Sequence, residues 1–255
     1  MSELVVASTE ADANAAEAVL QHHAELAGAV ALRVEALLTA VALPETSAAE
    51  RARRELVSFC ESELVPHALA EEQAMYPAAR ATTEGRLLVE AMLGEHQVIL
   101  RLVRETAGHA DLLRAAAAAA ALRAVFDSHL AKENDLVVPL LARTPGVSLH
   151  ELLGEMHEVV GPSTGSSGHS CGCGETEGPG LPELDVRTVP HAIRHATVFG
   201  ALESVQPGGG LRLVAPHDPL PLLDQVSKRW PGRFSVSYDE RGPEAWRVIL
   251  EFTGA

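Results

Sequence analysis

The sequence predicts two folded units in series: an all-α, up-down four-helix bundle over residues 1–160, then a small α+β two-layer sandwich of order βαβαββ over 181–255. Three observations carry this multi-domain reading. From about Ala11 to Val160, Ala, Leu and Glu dominate and apolar residues recur three and four apart, the spacing of long amphipathic helices. Residues 161–180, GPSTGSSGHSCGCGETEGPG, abandon that pattern for Gly and Ser and read as a flexible linker. Beyond them, short β-branched runs alternate with helical ones.

Breakers divide the first unit into its elements. The first helix runs to about Val41 and stops before Pro44, and the second runs from near Ser47 past Tyr76-Pro77. Pro66 lies inside the second helix, which predicts a kink just before His67. The third helix spans about Glu84 to Thr106 and the fourth about Ala110 to Ala142, closed by Thr144-Pro145-Gly146. Ser148 then caps a short fifth helix through Glu158. Connections this short make consecutive helices antiparallel neighbours. In the second unit LDVRTV, GLRLVAP, FSVSYDE and AWRVILEF read as strands, with helices over HAIRHATVFGALESV and LPLLDQVSKRW.

Composition excludes several classes of partner. The formal net charge is −15, and it is uneven: residues 1–180 carry 12 basic and 26 acidic side chains, whereas 181–255 carry 8 and 9. An acidic surface repels phosphate backbones and anionic lipid, so neither nucleic acid nor a membrane surface is expected as a partner of the bundle. The longest apolar stretch, the alanine run 115–121, is bracketed by Arg114 and Arg123 and falls short of the ~20 residues a membrane span needs. The start of the chain lacks the basic and apolar blocks of a secretory signal. Three cysteines, Cys60, Cys171 and Cys173, fit a reducing compartment, and the expected location is the cytoplasm.

The chemistry enters through histidine. Eight of the 12 histidines precede the linker, and two sit in a repeat: HALAEEQAMYP from His67 and HLAKENDLVVP from His129 share Glu at the fifth place and Pro at the eleventh. A chain with this composition gives about one His-x3-Glu pair by chance, but fewer than ~0.1 with the proline added, so coincidence does not account for two. Residues four apart share a helix face, so His67 with Glu71 and His129 with Glu133 each form a two-pronged clamp. The first and third helices add an inward histidine each, His23 and His96. Four imidazoles and two carboxylates serve two ions: two histidines per ion, with the glutamates bridging and offsetting the buried positive charge. Mixed nitrogen and hard oxygen donors without thiolate favour iron or manganese over structural zinc, and iron is preferred.

His22 reads as the solvated neighbour of His23, although which of the two turns inward is left open. Glu72 and Tyr76 are candidates to stand just behind the ligands. His109, His150 and His157 read as surface or cap residues, and Cys60 as a small buried apolar one.

His23, the HALAEE segment with Pro77, Glu95-His96, and the HLAKEN segment with Pro139 resemble the hemerythrin-like, or HHE cation-binding, family over roughly residues 10–160. The resemblance implies two non-haem iron ions in an oxo- or hydroxo-bridged centre that reacts with dioxygen, nitric oxide or peroxide. It carries over His23, His67, Glu71, His96, His129 and Glu133 as metal ligands. The chain departs from the respiratory members: their third helix supplies an H-x3-H pair, whereas His96 is followed by Leu100, and the fourth-helix acid is Glu133 rather than a later Asp. One ion should therefore be less crowded by protein nitrogen, which argues against simple oxygen carriage and toward sensing, iron handling or redox turnover. The ferritin-type Glu-x-x-His signature is absent from the sequence.

Two further clusters lie outside the bundle. His169, Cys171 and Cys173 form an H-x-C-x-C group in the linker that could capture a soft metal or act as a redox pair. The stretch 182–252 resembles an uncharacterised domain family that accompanies hemerythrin-like modules and shares the fold of sulfur-carrier proteins of the TusA/SirA type. Those carriers place a reactive cysteine before the proline that opens their first helix; here Val189 precedes Pro190, so persulfide transfer is not available. His191, Arg194, His195, His217 and Asp218 form a candidate anion, small-ligand or metal site at that helix's start.

The functional expectation is a cytoplasmic di-iron protein that binds or senses dioxygen, nitric oxide or related oxidants. Its C-terminal unit would bind a small ligand, relay the state or contact a protein partner. Alternatives are an enzyme turning over peroxide or nitric oxide, and an iron donor or store for repair of iron–sulfur centres.

Overall fold

A computed structural model describes residues 9–44, 46–160, 181–187, 189 and 194–253. The helical part contains α1 (Glu10–Val41), α2 (Thr46–Phe59), α3 (Val65–Gln73), α4 (Met75–Arg80), α5 (Gly85–Gly108), α6 (Leu112–Lys132), α7 (Val138–Arg143) and α8 (Leu149–Val160). Thr9 caps α1 by accepting from the Asp12 amide, Asp111 caps α6 through the Leu113 amide, and Ser148 Oγ accepts from the Glu151 amide. α1 packs on α2 and α6, α5 on α6, and α2 on α5, closing the up-down bundle.

Each of two prolines follows a local widening of its helix. Two five-residue π turns, Cys60–Leu64 and Glu133–Val137, join α2 to α3 and α6 to α7, and each ends just before a Val-Pro pair, Val65-Pro66 and Val138-Pro139. A proline has no N–H for the carbonyl four residues back, and the wider turn absorbs that missing bond without ending the helix. The helix is interrupted at Ala74, three residues before Pro77.

Two apolar clusters fill the bundle, one around Val30, Leu37, Leu56 and Leu122, the other around Val19, Met75, Met92 and Leu141. Cys60 belongs to the first as a buried thiol, pushed up to about 12 by burial.

The second unit holds β1 (Glu183–Asp185), α9 (Arg194–Glu203), β2 (Gly210–Ala215), α10 (Leu220–Arg229), β3 (Phe234–Arg241) and β4 (Trp246–Phe252), the expected βαβαββ order. The sheet runs β1-β2-β4-β3, with β1 parallel to β2 and the remaining pairs antiparallel. Alternate residues of the central strands, Leu211 and Leu213 with Val248 and Leu250, pack under Val198, Leu202 and Leu222 of the two helices. β1 is shorter than LDVRTV promised.

The two units touch. α9 lies along α1, and Ala31 and Leu32 of α1 belong to the core of the second unit. The approach is backbone to backbone: a Cβ added to Gly28 would stand 2.1 Å from the Thr197 carbonyl oxygen, and one added to Gly200 would stand 2.4 Å from that of Glu25. Arg229 flanks the contact, 2.7 Å from Glu203 and 3.6 Å from Glu25.

Candidate metal centre

The buried histidines and glutamates of the bundle collect in one pocket. α1 supplies His23, α3 supplies His67 and Glu71, α5 supplies His96, α6 supplies His129, and the second π turn supplies Glu133. All six are buried, with exposures of 0–7%. Of the neighbours His22 and His23, it is His23 that faces inward; His22 is exposed, its ring set edge-on to that of His67.

Glu71 occupies the centre. Its Oε1 lies 2.9 Å from His67 Nε2 and 3.3 Å from His23 Nε2, and its Oε2 lies 3.6 Å from His96 Nε2. Glu133 Oε2 lies 3.8 Å from His23 Nε2 and 3.5 Å from His129 Nε2. The donor atoms fall into two overlapping groups whose members are within 4.8 Å of one another: His23, His67, Glu71 and Glu133, and Glu71, His96 and His129. Glu71 belongs to both.

The outward nitrogens are fixed. Nδ1 of His96 is 2.7 Å from Glu72 Oε1, Nδ1 of His129 is 3.2 Å from Glu95 Oε2, and Nδ1 of His23 is 2.7 Å from Asn134 Oδ1. Lys132 pairs with Glu95 from the far side. Carboxylate and amide oxygens only accept, so these three imidazoles can donate from Nδ1 and offer Nε2 to an ion, with the Nε2 atoms of His96 and His129 3.1 Å apart. Tyr76 on α4 stacks on His96 with ring centres 5.4 Å apart and donates its hydroxyl to Glu133 Oε1 at 2.6 Å.

This donor set fits a pair of cations. Among the described residues, seven buried side-chain N and O atoms lack a hydrogen-bond partner, and five of them are here: His23 Nε2, His67 Nε2, both oxygens of Glu71, and Glu133 Oε2. His67 Nε2 and Glu71 Oε1 stand at hydrogen-bond distance without hydrogen-bond alignment, as two lone pairs aimed at a common point do. Burial pushes Glu133 well above the ordinary carboxylate range, and the adjacent Glu71 charge pushes the same way. Burial also opposes the Glu71 charge, but His67, His23 and His96 outweigh it and hold that carboxyl well below its usual value. His129 is lowered to about 4, mainly by burial. Two adjacent buried carboxylate charges oppose one another, and positive ions between them would let both ionise.

Sequence reasoning overlooked Asn134, Lys132 and the supporting role of Glu95. Adjacent residues do not share an α-helical face, so Asn134 gave no periodic signal beside Glu133; the π turn brings both to the pocket. If Glu95 orients His129 as a metal ligand, Glu95→Gln lowers affinity for the ions by roughly 10–100-fold with the fold retained. Competition with a chelator measures it.

The remaining expected sites are placed unevenly. His169, Cys171, Cys173 and His191 lie outside the described residues, as does the side chain of His195. Arg194 donates to the carbonyls of Val189 and Arg187, at 2.7 and 3.3 Å. Asp218 accepts from the Tyr238 hydroxyl at 2.8 Å, and His217 is exposed. Among the described residues, no helix is long and apolar enough to cross a membrane.

Comparison with known proteins agrees with this geometry. Residues 183–251 match the model of an uncharacterized conserved protein family, DUF2249. Neither a curated protein nor a solved structure matches the chain. Residues 14–148, more than half of the chain, match the model of the hemerythrin HHE cation binding domain, and the chain belongs to that family.

Proposed function

We propose that the chain is a non-haem di-iron protein that binds or senses dioxygen, nitric oxide or a related oxidant, with His23, His67, Glu71, His96, His129 and Glu133 as its ligands. The observation that carries this reading is the pair of overlapping donor groups joined through Glu71, whose two oxygens face opposite halves of the pocket. Imidazole and carboxylate donors without thiolate suit iron. When bound, ferrous ions supply the electrons and the coordination positions that such oxidants require. The protein's part is to hold the lone pairs in place through Glu72, Glu95 and Asn134, and to keep the pocket buried. The C-terminal unit rests on α1 within two turns of His23, which suits it to read or relay the state of the bundle.

Metal analysis and optical spectroscopy of the ferrous protein, before and after exposure to air, test the proposal. We expect close to two irons per chain and a new near-ultraviolet charge-transfer absorption on oxidation. A purified, folded chain that takes up no stoichiometric iron refutes it. A sensor reacts once per centre and stops, so sustained consumption of peroxide or nitric oxide would move the assignment to an enzyme.

A further inference from the structure

The second unit leaves one edge of its sheet open. In the order β1-β2-β4-β3 both outer strands have a single neighbour, but their surroundings differ. β1 is three residues long and lies against α1, so the bundle covers that end of the sheet. β3 is eight residues long, sits at the opposite end, and among the described residues pairs with β4 alone.

An unpaired edge presents a row of backbone donors and acceptors, which proteins blunt with lysine, proline, a bulge or a covering segment. One half of β3 is blunted in this way, because the register shifts between Tyr238 and Glu240 at the charged Asp239. The other half has none of these devices. Ser235, Val236 and Ser237 are uncharged and exposed, Val236 at 42%. Phe234 and Tyr238 stand on the same side of the strand as Val236, and both are only partly buried by the core.

The residue order of this edge is complementary to itself. Set antiparallel against a second β3 about a two-fold axis at Val236, Val236 meets Val236, Phe234 meets Tyr238, and Ser235 meets Ser237. The same register brings Arg233 to Asp239 at both ends. Asp239 is 47% exposed and lies 3.4 Å from Arg212. Arg233 has no carboxylate partner among the described residues; its Nε is buried without a hydrogen bond and its guanidinium carbon lies 4.6 Å from the centre of the Phe252 ring. Moving the axis to Ser237 would instead set Arg233 against Arg241, two like charges. Charge also decides which unit can pair. The acidic excess lies in residues 1–180, so two bundles repel at contact, whereas pairing through β3 keeps them at the far ends of one continuous sheet.

We propose that β3 is the interface of a homodimer, in which two copies of the chain join their sheets edge to edge about a two-fold axis at Val236. The proposal is independent of the metal in the bundle.

Sedimentation of the full chain at roughly 100 μM, well above a micromolar dissociation constant, tests it. We expect twice the 27.0 kDa of one chain. Val236→Lys would set two ammonium groups face to face on the axis and should weaken association by about 100-fold, with circular dichroism unchanged. Residues directly opposite in an antiparallel pair are within disulfide reach. In a Cys171→Ser, Cys173→Ser background, Val236→Cys should therefore cross-link into a covalent dimer under mild oxidation, and Arg101→Cys, exposed on α5, should not. A single-chain mass for the wild type overturns the proposal. So does a dimer that Val236→Lys leaves intact, since the interface would then lie elsewhere, and so does a failure of Val236→Cys to cross-link, since the axis would not pass through that residue.

Discussion

Glu71→Gln should leave a folded bundle that holds neither ion. Glu71 is the residue common to both donor groups, with Oε1 turned to His23 and His67 and Oε2 to His96. An amide preserves the volume but removes the negative charge and one of the two oxygen donors. Changes to groups that merely support a ligand cost 10–100-fold in affinity, so removing the shared ligand should cost at least ~100-fold for each ion. By contrast His67→Ala touches the four-donor half alone, and the other half should still bind. Iron content after desalting separates the two outcomes, and retention of two irons by Glu71→Gln would remove the basis for a shared bridge.

The same variant has a pH signature without metal. Burial raises the Glu71 carboxyl, but His67, His23 and His96 outweigh it and hold the group well below the ordinary carboxylate range. A depressed carboxyl contributes stability that is present above the unfolded-state value and is lost as pH falls through the folded-state one. Ion-free Glu71→Gln should accordingly be less stable than ion-free wild type at neutral pH. The gap should close in acid, where the wild-type side chain also becomes neutral, and thermal unfolding at a series of pH values follows it.

Gly28→Leu should separate the two units while leaving the metal centre loaded. Even a methyl group at Gly28 would fall 2.1 Å from the Thr197 carbonyl oxygen and 2.7 Å from the Ala201 nitrogen. Those are backbone atoms of α9, which cannot rotate aside as a side chain would, so the helices must part. Overpacking of this kind typically costs 1–3 kcal/mol, and here the loss includes the burial of Ala31 and Leu32 in the second core. Amide hydrogen exchange should rise along α1 near Gly28 and along α9, and small-angle scattering should report a larger radius. Gly200→Ala should act through the same contact, meeting Glu25 from the other side, so the two changes together should not add. Unchanged exchange in both variants would mean the contact does not hold the units together in solution.

That contact leaves a trace in the sequence. A helix buried on one side alternates apolar and polar faces, but from His23 to Leu32 nearly every residue of α1 is buried and small or apolar, Ala24, Ala27, Gly28 and Ala31 among them. A helix apolar all round is covered all round. The second face of α1 is covered by α9.

The two-unit architecture, the order of the elements, and the histidines and glutamates that meet at the pocket are legible in the residues alone. Those features follow from periodicity: residues four apart share a face, and a repeated His-x3-Glu with proline cannot be spread at random. The folded chain adds that His23 rather than His22 turns inward, that Asn134 reaches His23 through a π turn, that the Tyr76 hydroxyl donates to Glu133, and that Gly28 and Gly200 bring two helices together. Each depends on groups distant in the chain, whose rotation and approach are set by packing across helices and by where a proline removes a backbone donor.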